Sequence, residues 1–280
     1  MADRTKVTIQ QLFEMKRRKE KISWLTAYDY PTALYMDRAG IEMILTGDSL
    51  GMVVLGYEST LPVTMDAMIL HTQAVRRGAK TAFLVGDMPY MSYQPGVETA
   101  IRNAGRFMAE AGCDAIKLEG GVRVADKVKG IVDSGIPVVG HIGLTPQSSA
   151  QLGGFKVQGK DAETAKALVA DARALEAAGA FAILLECVPT KVSRLIMENV
   201  SSIIFGIGAG DVCDGQLLIS HDILGLFECF TPKFVKRYAE IGKTVQDACA
   251  AYHDDVKKCR FPGPEHAFTI AESELKKITT

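Results

Sequence analysis

The sequence predicts a (β/α)8 barrel, because eight short apolar runs alternate with segments of helical periodicity along its 280 residues. Four of these runs end on an acidic residue, in residues 44–48, 83–87, 116–119 and 183–186. Most helical segments end on a glycine just before the next run, and a left-handed glycine ends a helix at little cost. Because parallel strands joined by helices place their carboxyl ends on one face, we expect the acids to lie together there.

The elements follow in order along the chain. We expect an N-terminal helix over residues 8–20, with Thr8 as its cap, to close one end of the barrel. The predicted strands are residues 22–27, 43–47, 82–86, 115–119, 137–141, 182–186, 203–207 and 217–221. The helices that precede strands two to six are expected to stop at Gly40, Gly78, Gly112, Gly135 and Gly179.

Two stretches interrupt this alternation. Residues 142–160 form a long, glycine-rich loop on the functional face, and loops of this length are often lids. After the eighth strand, residues 232–241 and 244–258 are predicted to be helices. We therefore expect one domain over residues 1–280, a barrel whose C-terminal helical extension covers residues 232–280.

Composition excludes several classes of function. Lys and Arg total 32 against 33 Asp and Glu, a balance that favours neither nucleic acid nor an anionic membrane as partner. No apolar run approaches the ~20 residues of a membrane helix, and the N-terminus lacks a secretory pattern. The six cysteines show no Cys-x-x-Cys spacing, so free thiols in the cytoplasm are expected. Cys187 is either a buried thiol or, less favoured without a partner histidine, a nucleophile.

Three carboxylates predict a metal site. Asp48, Asp87 and Glu119 end strands two, three and four, which are neighbours in a barrel wound in sequence order. Mg²⁺ takes oxygen ligands, and no cluster of histidine or cysteine favours a softer metal. The alternative is that each acid is solvated or caps the helix that follows it.

Other polar residues at strand ends suggest a bound oxo acid. Lys117 is two residues before Glu119, so both point to one side of the strand, where the lysine either binds an anionic substrate or forms a structural ion pair. Glu186 follows an apolar run and suits a general base, although it could be a fourth ligand or a cap. His141 could hydrogen-bond a substrate oxygen or be structural, and His221 has a weaker case.

Several long motifs resemble one family. Residues 26–29, 47–51, 59–64, 140–147 and 185–189 read TAYD, GDSLG, STLPVT, GHIGLTPQ and LECVP, and they occur in the order found in the ketopantoate hydroxymethyltransferase family. The resemblance covers roughly residues 22–268. It implies a (β/α)8 barrel that transfers a hydroxymethyl group from 5,10-methylenetetrahydrofolate to 3-methyl-2-oxobutanoate in pantothenate synthesis.

The resemblance also implies roles for individual residues. Mg²⁺ would be bound by Asp48, Asp87 and Glu119, the oxo acid would contact Asp48, Ser49, Asp87 and Lys117, and Glu186 would accept the proton. The oxo acid would chelate the metal, which acidifies its C3 proton by stabilising an enolate. Homologues assemble as homo-oligomers, commonly decamers. The alternative within enzymes is another Mg²⁺-dependent lyase or mutase of the phosphoenolpyruvate/pyruvate type, and outside enzymes a non-catalytic barrel.

Overall fold

The computed structural model describes residues 4–278, in which eight parallel strands form a closed barrel and the last strand pairs with the first. The strands are β1 (Ile22–Thr26), β2 (Met43–Thr46), β3 (Phe83–Asp87), β4 (Ala115–Glu119), β5 (Val138–Gly143), β6 (Ala182–Glu186), β7 (Ile203–Ile207) and β8 (Gly215–Leu218). The strands are joined in sequence order, with helices in most of the connections. The predicted (β/α)8 barrel is confirmed.

The helices include short turns as well as long segments. They are α1 (Ile9–Arg18), α2 (Tyr30–Ala39), α3 (Leu50–Val53), α4 (Met65–Gly78), α5 (Val97–Ala109), α6 (Ala125–Asp133), α7 (Ser149–Leu152), α8 (Ala162–Ala177), α9 (Thr190–Met197), α10 (Ser220–Ile223), α11 (Ile241–Lys257) and α12 (Glu272–Ile278). The longest of those within residues 4–278 is α11, with 17 residues. None in that range is both long and apolar enough to cross a bilayer.

The N-terminal helix closes the amino end of the barrel, as predicted. The Thr8 side chain accepts the Gln11 N–H, and the Gln11 side chain accepts the Thr8 N–H. This reciprocal pair satisfies two of the donors left free at a helix start. Leu12 is fully buried and joins the apolar cluster inside the barrel, where Trp24 meets Phe205 edge-on at 4.8 Å between ring centroids.

Four of the five predicted helix-ending glycines have positive φ, namely Gly40, Gly112, Gly135 and Gly179. Gly78 differs, because it is the last residue of α4 and does not have a left-handed backbone. A Cβ atom at Gly78 would lie 2.4 Å from the carbonyl oxygen of Tyr30 and 2.8 Å from the nitrogen of Leu34, both on α2. This glycine therefore allows two helices to pack closely.

The eighth strand was predicted two residues too late. It runs over Gly215–Leu218, so His221 does not end a strand but lies in α10. At Gly215 a Cβ atom would lie 2.5 Å from the Ile22 carbonyl oxygen and 2.6 Å from the Phe205 ring. A glycine and a glutamine do not resemble a strand in sequence, yet here the glycine is what permits pairing with β1.

The predicted helix over residues 232–241 is wrong. This stretch is irregular, because several of its backbone N–H groups bond to carbonyls at the end of α10 and just after it, and within the stretch only a single turn forms, from Val235 to the Pro232 carbonyl. Tyr238 donates to the Ile223 carbonyl at 2.7 Å, and Ile241 donates to the Leu224 carbonyl at 2.9 Å. The next predicted helix is confirmed as α11, although it begins three residues earlier than residue 244.

The loop predicted over residues 142–160 is partly ordered into the wall of the barrel mouth. β5 extends to Gly143, a 3₁₀ turn covers Pro146–Ser148, and α7 follows. Leu144, Thr145 and Gln147 are buried. Only the exposed part of the loop, around Phe155, therefore remains a candidate for a lid.

Candidate active site

A cavity of about 580 Å³ opens at the carboxyl end of the barrel. Its lining contains the seven main residues proposed for metal binding, substrate binding or proton transfer: Asp48, Ser49, Asp87, Lys117, Glu119, His141 and Glu186. His221, the weaker candidate, does not line it. Five of these are buried, and Ser49 and Glu186 are partly accessible. Cavities of a few hundred Å³ with a few convergent polar groups are typical of ligand sites.

Lys117 lies among the carboxylates inside the barrel. Its Nζ atom is 2.7 Å from Asp87 Oδ1 and 3.9 Å from Glu119 Oε1. Ile116 and Leu118 pack in the outer apolar layer, so the strand alternation predicted for Lys117 and Glu119 is confirmed. Burial lowers the pKa of Lys117, but the negative charges of its neighbours outweigh burial and raise the pKa above the usual value.

Asp48 lies beside Asp87, so its ionisation would place two negative charges close together in a buried site. Its backbone N–H donates to Asp87 Oδ2 at 3.1 Å, which holds the two acids side by side. Burial, and next the charge of Asp87, raise the pKa of Asp48 well above its usual range, and Lys117 opposes this. Two buried carboxylates with one lysine between them would be relieved by a further cation.

Gln147 is a functional candidate that the sequence analysis did not single out. Its side-chain Nε2 donates to Asp48 Oδ2 at 2.9 Å, and its backbone N–H donates to Glu119 Oε2 at 3.0 Å. Tyr93 donates to the Gln147 side-chain oxygen at 2.8 Å, which fixes the amide orientation. One residue of the loop thereby positions two of the three proposed metal ligands. Its only sequence signal was its place at the end of the GHIGLTPQ motif.

His141 links two carboxylates that the sequence analysis treated separately. Its Nε2 lies 3.2 Å from Glu186 Oε2, and its Nδ1 lies 3.5 Å from Glu119 Oε1. Burial and the charge of Lys117 lower the pKa of His141, but the two carboxylates outweigh them and raise it to about 9. Glu186 is therefore next to a positively charged ring, and Glu119 lies on the other side of that ring.

The acidic residues suit a hydrated divalent cation. Glu119 Oε1 is a buried oxygen for which no group in residues 4–278 completes a hydrogen bond. With the side chains of residues 4–278 in their present positions, no three His, Cys, Asp or Glu residues lie close enough to bind one metal ion together. Mg²⁺ commonly takes only one or two carboxylates and fills its other positions with water and substrate oxygens. The pair Asp48 and Asp87 meets that number. Glu119 Oε1 lies 3.9 Å from Lys117 Nζ and 3.5 Å from His141 Nδ1, and it makes no hydrogen bond in that range that a cation would have to break.

Ser49 and Cys187 also line the cavity. The Ser49 hydroxyl lies 2.8 Å from the hydroxyl of Tyr28, which holds it at the cavity wall. Burial, and next the charge of Glu186, raise the pKa of the Cys187 thiol to about 11. A thiol with that pKa is protonated at neutral pH, so the interpretation of Cys187 as a buried thiol is the better supported one.

Comparison with known sequences shows which protein family this chain resembles. A sequence model described as ketopantoate hydroxymethyltransferase matches residues 6–264. A 3-methyl-2-oxobutanoate hydroxymethyltransferase of Syntrophobacter fumaroxidans is 55% identical over 276 residues, which cover 99% of this chain and 98% of the relative. An enzyme of the same name from Clostridium botulinum is 54% identical over 271 residues, covering 97% and 98% of the two chains.

Solved structures resemble the fold at much lower sequence identity. A phosphonopyruvate hydrolase superimposes with a TM-score of 0.62 and 12% identity, covering 98% of this chain and 95% of that one. A phosphoenolpyruvate phosphomutase from Streptomyces platensis subsp. rosaceus gives a TM-score of 0.60 with 14% identity, covering 97% and 96%. At this level of identity the likeness concerns the barrel alone.

Proposed function

The chain belongs to the ketopantoate hydroxymethyltransferase family, and on that premise we propose that it transfers a hydroxymethyl group from 5,10-methylenetetrahydrofolate to 3-methyl-2-oxobutanoate. The product would be ketopantoate, an intermediate of pantothenate synthesis. One observation supports this most strongly. A cluster of three acids around Lys117 lies in the same cavity as Glu186, so groups suited to bind an anion, to hold a metal ion and to accept a proton are within reach of one small substrate.

The proposal includes Mg²⁺, held by Asp48, Asp87 and Glu119. An ion held there would supply Lewis-acid chemistry, because it would stabilise the negative charge of an enolate and so acidify the C3 proton of the oxo acid. Lys117 and Ser49 would orient the substrate carboxylate, because an ammonium group and a hydroxyl both donate to carboxylate oxygens. His141 would donate one of its two ring N–H groups to a substrate oxygen, in exchange for its present contact with Glu119 or Glu186.

Glu186 would remove the C3 proton, and the resulting carbanion would attack the one-carbon unit of the folate. A new C–C bond forms at C3, the C–N bonds of the methylene bridge break, and water supplies the hydroxyl oxygen. Tetrahydrofolate is the second product. Closure of the exposed loop around Phe155 would keep water from the carbanion.

Proton exchange without folate tests the first half of this reaction. In D₂O with Mg²⁺ and 3-methyl-2-oxobutanoate, we expect the enzyme to exchange deuterium at C3, because chelation and base are both present before the donor binds. EDTA should abolish the exchange and added Mg²⁺ should restore it, as followed by proton NMR. Exchange that persists at full rate in EDTA would refute the metal site. Exchange without ketopantoate formation, after methylenetetrahydrofolate is added, would refute the proposed donor.

We also propose that the protein is a homo-oligomer assembled through its C-terminal region. No residue of α11 is buried, although the helix carries the exposed apolar residues Val245, Tyr252 and Val256. Phe268, beyond this helix, is fully exposed. Apolar residues in such number on one segment indicate an unpaired interface, since monomers rarely expose them together.

Removal of the residues after Glu240 should therefore lower the oligomeric state. We expect the full chain to elute with the mass of a ring, a decamer in the family pattern, and the shortened chain to give smaller species by size-exclusion chromatography with light scattering. A charged substitution, Tyr252→Glu, should act in the same direction while leaving the barrel intact. A full chain of monomeric mass would contradict the proposal.

A cytoplasmic location completes the proposal. All six cysteines lie within the described residues, and none of them forms a disulfide. Three, Cys229, Cys249 and Cys259, are exposed, and exposed free thiols are stable in a reducing compartment.

A further inference from the structure

The cavity has an apolar side that a small oxo acid does not require. The polar groups of the site lie on the arc from β2 to β6. On the arc of β7 and β8, the lining is mostly apolar. Ile207, Leu217 and Ile219 lie at the strand ends, and the segment that follows adds Phe227, Phe230 and Phe234 together with the charged Lys233. A five-carbon acid can be held by the polar arc, so the apolar arc is left for a larger, flat group.

Asp222 is the acidic residue of this apolar arc. It lies on α10 directly after β8, it is only 5% exposed, and it lines the cavity. Within residues 4–278, no group donates a hydrogen bond to its carboxylate. Arg237, whose charge acts on Asp222, donates instead to Glu240 and Thr231. Burial of an unpaired carboxylate is costly, so a ligand that supplies donors is the natural explanation.

The position of Asp222 is fixed before any ligand binds. The Ser220 N–H donates to Thr26 Oγ1 at 3.0 Å and ties α10 to β1. The His221 ring packs edge-on against Tyr28, with 5.2 Å between centroids. Burial raises the pKa of Asp222 to about 6, so the carboxylate is ionised at neutral pH. A preorganised carboxylate in an apolar pocket is a strong and selective acceptor.

We propose that Asp222 anchors the pterin ring of the folate donor. A 2-amino-4-oxo pyrimidine ring presents its N3–H and its 2-amino group as two adjacent donors, which match the two oxygens of one carboxylate. The flat ring would lie against the apolar arc. Asp222 follows β8, which pairs with β7, and β7 pairs with β6, so a ring that lies along the ends of β8 and β7 would direct the one-carbon bridge towards Glu186 at the end of β6. The inference rests on the proposed folate donor.

Binding of tetrahydrofolate tests the inference directly. Asp222→Asn retains the side-chain volume but replaces one acceptor by a donor, so we expect calorimetry to show affinity lower by about 10- to 100-fold. Glu228→Gln removes the same charge from an exposed position outside the cavity and should bind like the wild type. Exchange at C3 without folate should be unchanged in Asp222→Asn, which shows that the metal and oxo acid site is intact.

A ligand that lacks the 2-amino group sharpens the test. The wild type should bind 2-desamino-tetrahydrofolate much more weakly than tetrahydrofolate, and Asp222→Asn should lose most of this discrimination. Equal affinity of the wild type and Asp222→Asn for tetrahydrofolate would overturn the role of Asp222 alone. A wild type that exchanges C3 but does not bind tetrahydrofolate would overturn the folate donor itself, so the two failures are distinguishable.

Discussion

Replacement of Glu186 by glutamine is expected to slow deuterium exchange at C3 by about 10²- to 10⁴-fold, the range that a general base contributes. Glutamine has nearly the same shape but cannot accept a proton at neutral pH. The oxo acid should still bind, because its proposed contacts are Lys117, Ser49 and the metal ligands. Exchange followed by NMR, together with a binding isotherm for the oxo acid, separates loss of the base from loss of the site.

A matched control makes this result specific. Glu198→Gln changes the same residue type at an exposed position after α9, and it should exchange at the wild-type rate. Exchange by Glu186→Gln within a few-fold of the wild type would show that another group removes the proton.

Much of the fold was predictable because barrel topology depends on local patterns. Apolar runs, helix periods and glycine stops each report on a few neighbouring residues, and the rule that βα units wind in one direction converts them into a barrel. The same rule places Asp48, Asp87, Glu119 and Glu186 at one cavity without knowledge of any contact. The acidic residues at the strand ends of the cavity were therefore accessible from the sequence.

The connections within the site were not accessible, because they depend on side-chain direction and on distant segments. Gln147 donates a hydrogen bond to Asp48, which is 99 residues away in sequence, and a glutamine in a loop has no local pattern that would predict this contact. Gly215 lies in β8 although glycine does not favour strands, because a Cβ atom at this position would clash with the Phe205 ring. Residues 232–241 have helical composition, but N–H groups such as that of Tyr238 bond to carbonyls at the end of α10, so a tertiary interaction overrides the local preference.

Lys117→Met is expected to affect stability and substrate binding together. It removes the ammonium group that neutralises the carboxylates around it while keeping a side chain of similar length. Breaking a buried ion pair by removing one partner costs about 3–5 kcal/mol, because the remaining charges are left unpaired. For a chain of this size that corresponds to a melting temperature lower by about 6–10 °C, measured in EDTA.

The response to Mg²⁺ distinguishes this explanation from simple loss of packing. A divalent cation supplies the missing positive charge, so Mg²⁺ should raise the melting temperature of Lys117→Met by more than it raises that of the wild type. Affinity for the oxo acid should nevertheless stay low, because the ion does not replace the ammonium group as a hydrogen-bond donor. Lys166→Met, at an exposed position on α8, should match the wild type in both respects. If Mg²⁺ raised the melting temperatures of Lys117→Met and of the wild type equally, Lys117 would not balance the charge of the acids proposed to bind the metal.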